Sequence, residues 1–288
     1  MMAFELAEPR SLAAAIDLLD AEDPTIRPIS GGTALMLMMK AGAFQPTRLV
    51  SLGAIDGRLS EIAATPEGGL RIGALCTLAM VEKSPLVRRL YPVVGQTMQR
   101  LANVRVRNVA RIGGNLAHAD PHMDLPPVLS ALGGEVVIAG PAHERRVAVE
   151  QLFVGYYETV LDGDELIAEL VLPPPAGWSA CYLKCTTRSA DDWPALGIAA
   201  AVKLADGVVD DIVLMLGAAA ATLARLKAAE AVLRGRAPDA ALLGRAAEAA
   251  AESVELLDDS RGSAAYKKHL LRVYLGRAIR QAAEGIQP

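Results

Sequence analysis

Ile29-Ser30-Gly31-Gly32-Thr33-Ala34-Leu35 is the stretch on which the reading of this chain turns. A short apolar segment, Ile26 to Ile29, precedes it, and a helix-like run, Leu35 to Lys40, follows. A strand, a small polar turn and a helix start aim several backbone N–H groups at one point. Paired glycines let a ligand approach the backbone with no Cβ in the way. Free N–H groups at a helix start favour an anion such as phosphate. A second stretch of this kind, Arg111-Ile112-Gly113-Gly114-Asn115, lies further on. Two such turns are expected to hold one pyrophosphate. On its own the first is a plain tight turn as readily as a cradle. It is not GxGxxG, and no GxxxxGK[ST] occurs, which disfavours a dinucleotide-type Rossmann site and a P-loop.

The 288 residues are 52% hydrophobic, enough for two or three compact modules, although much of that fraction is alanine. A net charge of −4 provides no basic field for nucleic acid. Arg100, Arg105, Arg107 and Arg111 cluster locally, as a patch for an anion or as a solvated face. Cys76, Cys181 and Cys185 form no CxxC pair, so a zinc or iron–sulfur site is not expected. No apolar run reaches the roughly 18 residues of a membrane span. With no signal-peptide pattern at the start, a reducing cytoplasm is the expected compartment.

Taken in order, residues 1 to about 55 read as a small β-α-β unit, with Ser11 capping the first helix. Leu59 to Leu75 read as a hairpin, followed by a helix capped by Thr77. Ser84-Pro85 opens another helix, in which Pro92 marks a kink or a new start. After the second glycine stretch, a helix from Leu125 to Leu132 ends at Gly133-Gly134. Strands follow at Glu135 to Ala139, Arg146 to Val149 and Glu165 to Leu172, then the Pro173-Pro174-Pro175 linker. Beyond it, Cys181 to Leu216 read as strands with a turn at Asp206-Gly207, and Thr222 to Ala283 as helices.

His118, Asp120, His122 and Asp124 have metal-like spacing, but Pro121 prevents a helix from bringing the histidines onto one face; no metal site is expected. Asp124 before a helix also fits an N-cap. Lys184 sits in a strand beside the linker, either solvated or within reach of a cofactor's polar edge. The loop Arg188, Asp191, Asp192, Trp193 carries no motif interpretable from physics. No nucleophile set or paired-carboxylate site is present, so no catalytic residue is assigned.

The combination Ser30-Gly31-Gly32-Thr33-Ala34-Leu35, Met39-Lys40, then Arg107 to Pro121 and Asp124-Leu125-Pro126 resembles the FAD-binding medium subunit of the molybdenum hydroxylases. That family includes the medium subunit of carbon monoxide dehydrogenase and the FAD part of xanthine dehydrogenase. The resemblance runs over the whole chain. It implies an α+β, vanillyl-alcohol-oxidase-type (PCMH-type) FAD fold: subdomains at residues 1–56 and 57–176, then a C-terminal domain at 177–288 with a small antiparallel sheet and helices. It assigns Ser30, Gly31, Gly32, Thr33, Ala34 and Leu35, with Ile112, Gly113, Gly114 and Asn115, to the pyrophosphate. Asp124 would bond sugar or ribityl hydroxyls, Leu166 and Ile167 would line the adenine end, and Lys184 would approach the ring. Leu101 and Ala102 match a cofactor-lining position. Relatives carry Thr or Ser where Arg111 stands, so Arg111 would pair with a phosphate or turn to solvent.

The resemblance further implies an electron-transfer subunit holding FAD, with molybdopterin and [2Fe–2S] on partner subunits in a dimer of heterotrimers. The acceptor, NAD, a quinone or oxygen, stays open. Two rival readings are a stand-alone FAD oxidase and an assembly subunit that has lost its flavin. About 110 residues after the linker are few for a separate substrate domain, and both glycine turns are intact.

Overall fold

Strand Leu166–Leu172 runs through the middle of the largest sheet, and the molecule is arranged on its two sides. The computed structural model describes residues 3–55 and 57–285. They form three main sheets and a small hairpin.

The first sheet is parallel, with Arg48–Ser51 between Glu5–Ala7 and Ile26–Ile29. Parallel neighbours need crossovers, which helices Leu12–Ile16 and Leu35–Lys40 supply. The Ser11 hydroxyl caps the first of these by accepting the Ala14 N–H at 3.1 Å. The second sheet is antiparallel, with Leu166–Leu172 flanked by Leu70–Gly73 and Glu135–Ala139, and with Ile62–Ala64 and Glu144–Ala148 at the edges. A bulge between Ile167 and Glu169 reverses the alternation of this strand. Leu166 and Ala168 face Ala15, Ile16 and Val50 of the first unit. Beyond the bulge, Leu170 and Leu172 face the opposite side, with Ile167, under helices Leu78–Lys83, Pro92–Arg100 and Leu125–Ala131. One strand therefore joins two cores.

The third sheet holds Ser179–Cys185, Leu196–Ala205, Val208–Gly217 and the short Ala224–Arg225 in antiparallel order. Ala199, Ala201 and Met215 pack towards the core that holds helices Pro92–Arg100 and Leu125–Ala131. Ile198, Ala200, Val202 and Leu214 pack against helices Lys227–Leu233, Ala240–Ser253 and Ala264–Glu284. Both faces are covered, which accounts for the unbroken apolar run of its central strands.

Several local readings change. The second glycine stretch is not a free turn: Gly113 and Gly114 lie in the first turn of helix Ile112–His118. At Pro92 the second of the two readings holds: Tyr91 (φ −137°, ψ 68°) separates Pro85–Leu90 from a new helix, Pro92–Arg100. Asp124 makes no side-chain cap to the helix that follows it. Leu59 lies in a 3-10 turn, Arg58–Ser60, so the hairpin strand starts at Ile62. The hairpin of Phe153–Gly155 and Glu158–Thr159 gave no sequence signal.

Candidate functional site

The first glycine turn and the start of helix Ile112–His118 press against each other. A Cβ on Gly31 would lie 2.4 Å from the Val109 carbonyl oxygen and 2.8 Å from Ala110 Cα. A Cβ on Gly114 would lie 2.9 Å from Ser30 Oγ. Gly32 adopts φ +65°, a left-handed conformation that favours glycine. Gly113 lies close to Ala74, and its N–H donates to the Ala74 carbonyl at 2.9 Å. That bond, with Ile112 N–H to the Cys76 carbonyl at 3.0 Å, fixes the helix start on the second sheet.

What the two elements leave open is a set of donors. Among the described residues, the N–H groups of Gly31 to Leu35 and of Gly114 have no acceptor. Gly114 is exposed, and Asn115 Oδ1 is buried without a partner. Unmet groups of this kind call for a ligand or ordered solvent. Free backbone donors suit a phosphate, and a lone buried acceptor suits a hydroxyl. The residues present fit an extended dinucleotide.

Arg111 takes neither of the two expected positions. Its guanidinium turns back and donates to the Leu75 carbonyl. Arg107 is tied to Glu82 at 2.9 Å and to the carbonyls of Leu101 and Ala102, while Arg100 and Arg105 lie exposed. Those bonds hold Leu101 buried and Ala102 at φ 53°.

A second group of residues forms where the C-terminal sheet meets helix Leu125–Ala131. Asp124 Oδ1 accepts from the Tyr182 hydroxyl at 2.8 Å, and Oδ2 accepts from Lys184 Nζ at 3.0 Å. Lys184 also donates to the Arg100 carbonyl at 2.8 Å and is buried, not solvated. Tyr182 and Lys184 are two apart on one strand, so both point to the same face. Gly197 makes room for the ring: a Cβ there would meet the Tyr182 hydroxyl at 2.3 Å. Burial pushes the Asp124 carboxyl above its ordinary pKa, with Lys184 and Tyr182 opposing. Burial beside Asp124 likewise raises the Tyr182 phenol well above its usual value. Leu166 and Ile167 are both buried but on opposite faces of their strand, in different cores. Only one of these side chains can face any given pocket.

Sequence reasoning missed Tyr182, although its i, i+2 relation to Lys184 was visible. It also missed the pairing of His122 with Asp120 and Asp259, and the packing of Trp193 on His122. No group of three or more His, Cys, Asp or Glu side chains suited to a metal ion occurs among the described residues. No helix among them is long and apolar enough to cross a membrane.

A parallel β-α-β unit and an antiparallel α+β unit that meet along glycine-lined backbone donors define a nucleotide-cofactor protein. Residues 2–175 match the family described as the FAD binding domain in molybdopterin dehydrogenase, and residues 181–282 match the CO dehydrogenase flavoprotein C-terminal domain. The chain belongs to this family of FAD-binding flavoprotein subunits, and its cofactor is FAD. It is 32% identical to the nicotine 6-hydroxylase medium subunit of Paenarthrobacter nicotinovorans, over 97% of each chain. It is 30% identical to the carbon monoxide dehydrogenase medium chain of Hydrogenophaga pseudoflava, over 97% of this chain and 96% of that one. Among solved structures, carbon monoxide dehydrogenase from H. pseudoflava superposes with a TM-score of 0.93 at 32% identity, covering 98% of this chain and 97% of that one. Quinoline 2-oxidoreductase from Pseudomonas putida 86 gives 0.92 at 29% identity, over 98% of both chains.

Proposed function

We propose that this chain is the electron-transfer flavoprotein of a molybdenum hydroxylase, and that it receives electrons from a [2Fe–2S] subunit and delivers them to an external acceptor. The observation that carries the reading is the contact between the two glycine elements, Gly31 on Val109 and Ala110 and Gly114 on Ser30, which brings together two stretches whose backbone N–H groups have no acceptor among the described residues. FAD, when bound, supplies the ability to exchange single electrons on one side and pairs on the other.

The N–H groups of Gly31 to Leu35 and of Gly114 hold the pyrophosphate. Asn115 Oδ1 and Asp124 accept from sugar or ribityl hydroxyls, and Lys184 supplies a cation fixed by Asp124 and the Arg100 carbonyl. Leu101, Ala102 and Leu166 or Ile167 close apolar parts of the pocket. Ser30, Ile112 and Gly113 shape the turn. Arg111 acts through Leu75 rather than as a phosphate ligand. The working division is 1–56 and 57–176 for the FAD-binding subdomains and 177–288 for the C-terminal domain. Oxidation of the organic substrate takes place on a separate molybdopterin subunit, in a cytoplasmic dimer of heterotrimers. Co-purification of the full chain with its two partners, followed by cofactor analysis of each subunit, tests the assignment. FAD on this chain and molybdenum elsewhere is the expected result. Flavin on another subunit would refute it.

A further inference from the structure

The loop between helix Ile112–His118 and Asp124 is tied to the C-terminal domain by a closed ring of hydrogen bonds. The Ala218 N–H donates to the Pro121 carbonyl at 2.9 Å. The Ala218 carbonyl accepts from Lys267 Nζ at 3.3 Å, and Lys267 in turn pairs with Asp259 Oδ2. The same Oδ2 lies 3.0 Å from His122 Nε2, next to Pro121 in the chain, which closes the ring. His122 has a second partner: Nδ1 lies 3.1 Å from Asp120 Oδ1.

Both ring nitrogens therefore face carboxylate oxygens. A neutral imidazole has one donor and one acceptor, so it satisfies only one of these contacts; an imidazolium satisfies both. The charges agree. Asp120 has a fully buried side chain, and His122 is its cationic partner among the described residues. On its other side, Asp120 accepts from the Tyr157 hydroxyl at 2.9 Å, and His118 packs edge-on against Tyr157. Asp259 is shared between His122 and Lys267. Trp193 stacks on the His122 ring at 5.9 Å, with Arg261, itself paired to Asp192, over the same indole. Arg188 also pairs with Asp192.

We propose that His122 is a positioning residue: as an imidazolium held between Asp120 and Asp259, it fixes the loop that presents Asp124 and locks the C-terminal domain to it. Only the consequence for cofactor affinity rests on the FAD reading. The hydrogen bonds His122 donates to both carboxylates raise its pKa against the effect of burial. His118, two residues before Asp120, is pushed the other way by burial and serves as an internal control.

The test is nitrogen NMR of the full chain with labelled histidine, at about pH 7.5, where an ordinary histidine is mostly neutral. His122 is expected to show two protonated ring nitrogens while His118 shows a neutral tautomer. A neutral pattern at His122 would overturn the bridge. Amide exchange at Met123 and Asp124 reads the positioning role: His122→Gln, which offers a donor to one carboxylate only, is expected to accelerate it, and unchanged exchange would overturn that role. FAD affinity of the variant should fall about ten-fold, the equivalent of one lost charge-assisted hydrogen bond. Failure of the wild-type chain to bind FAD would count against the cofactor reading instead, because ring protonation and amide exchange are read without it.

Discussion

Gly114 stands against Ser30 so closely that a single methyl group on the glycine would come within 2.9 Å of the serine hydroxyl oxygen. These two residues lie 84 positions apart, one in each glycine motif, and their contact brings the motifs together. The neighbour at this point is the end of a short, rotatable side chain, and Gly114 itself is exposed. Gly114→Ala is therefore expected to cost little stability, within about 1 kcal/mol, while placing a methyl group beside the proposed pyrophosphate donors. Thermal melting and flavin retention, measured on the same sample, check this: melting near wild type with lowered retention is the expected pattern.

Gly31→Ala is the contrasting case. Its Cβ would meet backbone, the Val109 carbonyl and Ala110 Cα, which cannot rotate away. The turn or the 109–110 segment must shift, at about 1–3 kcal/mol for overpacking. The melting temperature should fall by roughly 2–4 °C per kcal/mol, and flavin retention should fall with it.

Lys184→Met leaves Asp124 buried with no cation beside it among the described residues. Breaking a buried pair in this way costs about 3–5 kcal/mol. Burial already raises the Asp124 pKa, and Lys184 opposes that rise. A carboxyl with a raised folded-state pKa favours folding at acid pH and loses that contribution as pH rises through the folded value. The deficit of the variant should therefore be small near pH 4 and grow towards about pH 7. Melting curves across this range check it, and a deficit independent of pH would contradict it. Adding Asp124→Asn should restore part of the loss.

Tyr157→Phe should show a deficit that also grows from acid to neutral pH, but for a different reason. Burial acts to raise the Asp120 pKa, but hydrogen bonds from His122, its side chain and its backbone N–H, and from Tyr157 outweigh it and hold the value below the ordinary one. A lowered carboxyl pKa contributes stability above the unfolded value, and that stability is lost as pH falls through the folded value. Removing the phenol should cost about 1.5–3 kcal/mol near neutral pH and much less in acid. Denaturant titrations at both extremes measure the difference.

The glycine motifs stood out because their pattern is local, two small residues beside a helix start, whereas their packing against each other across 84 positions was not visible. The strands of the C-terminal sheet were legible through the Asp206-Gly207 turn and their apolar runs. The bulge at Ile167/Glu169 was not, since the segment LIAELVL is apolar enough to hide a reversal of faces. Nor was the Asp124–Tyr182–Lys184 cluster as a unit, which joins residues about 60 apart, or the His122–Asp259 contact, which spans 137. Such pairings depend on how two domains dock, and no local pattern encodes that. Arg111 shows a different limit: from sequence it was a choice between phosphate and solvent, and the structure gives it the Leu75 carbonyl.

The most direct test of the central claim is an absorption spectrum of the full chain after incubation with FAD and removal of free cofactor. The account predicts bound flavin bands, and release of FAD rather than FMN on denaturation. A colourless protein, alone and with its partner subunits, would contradict it.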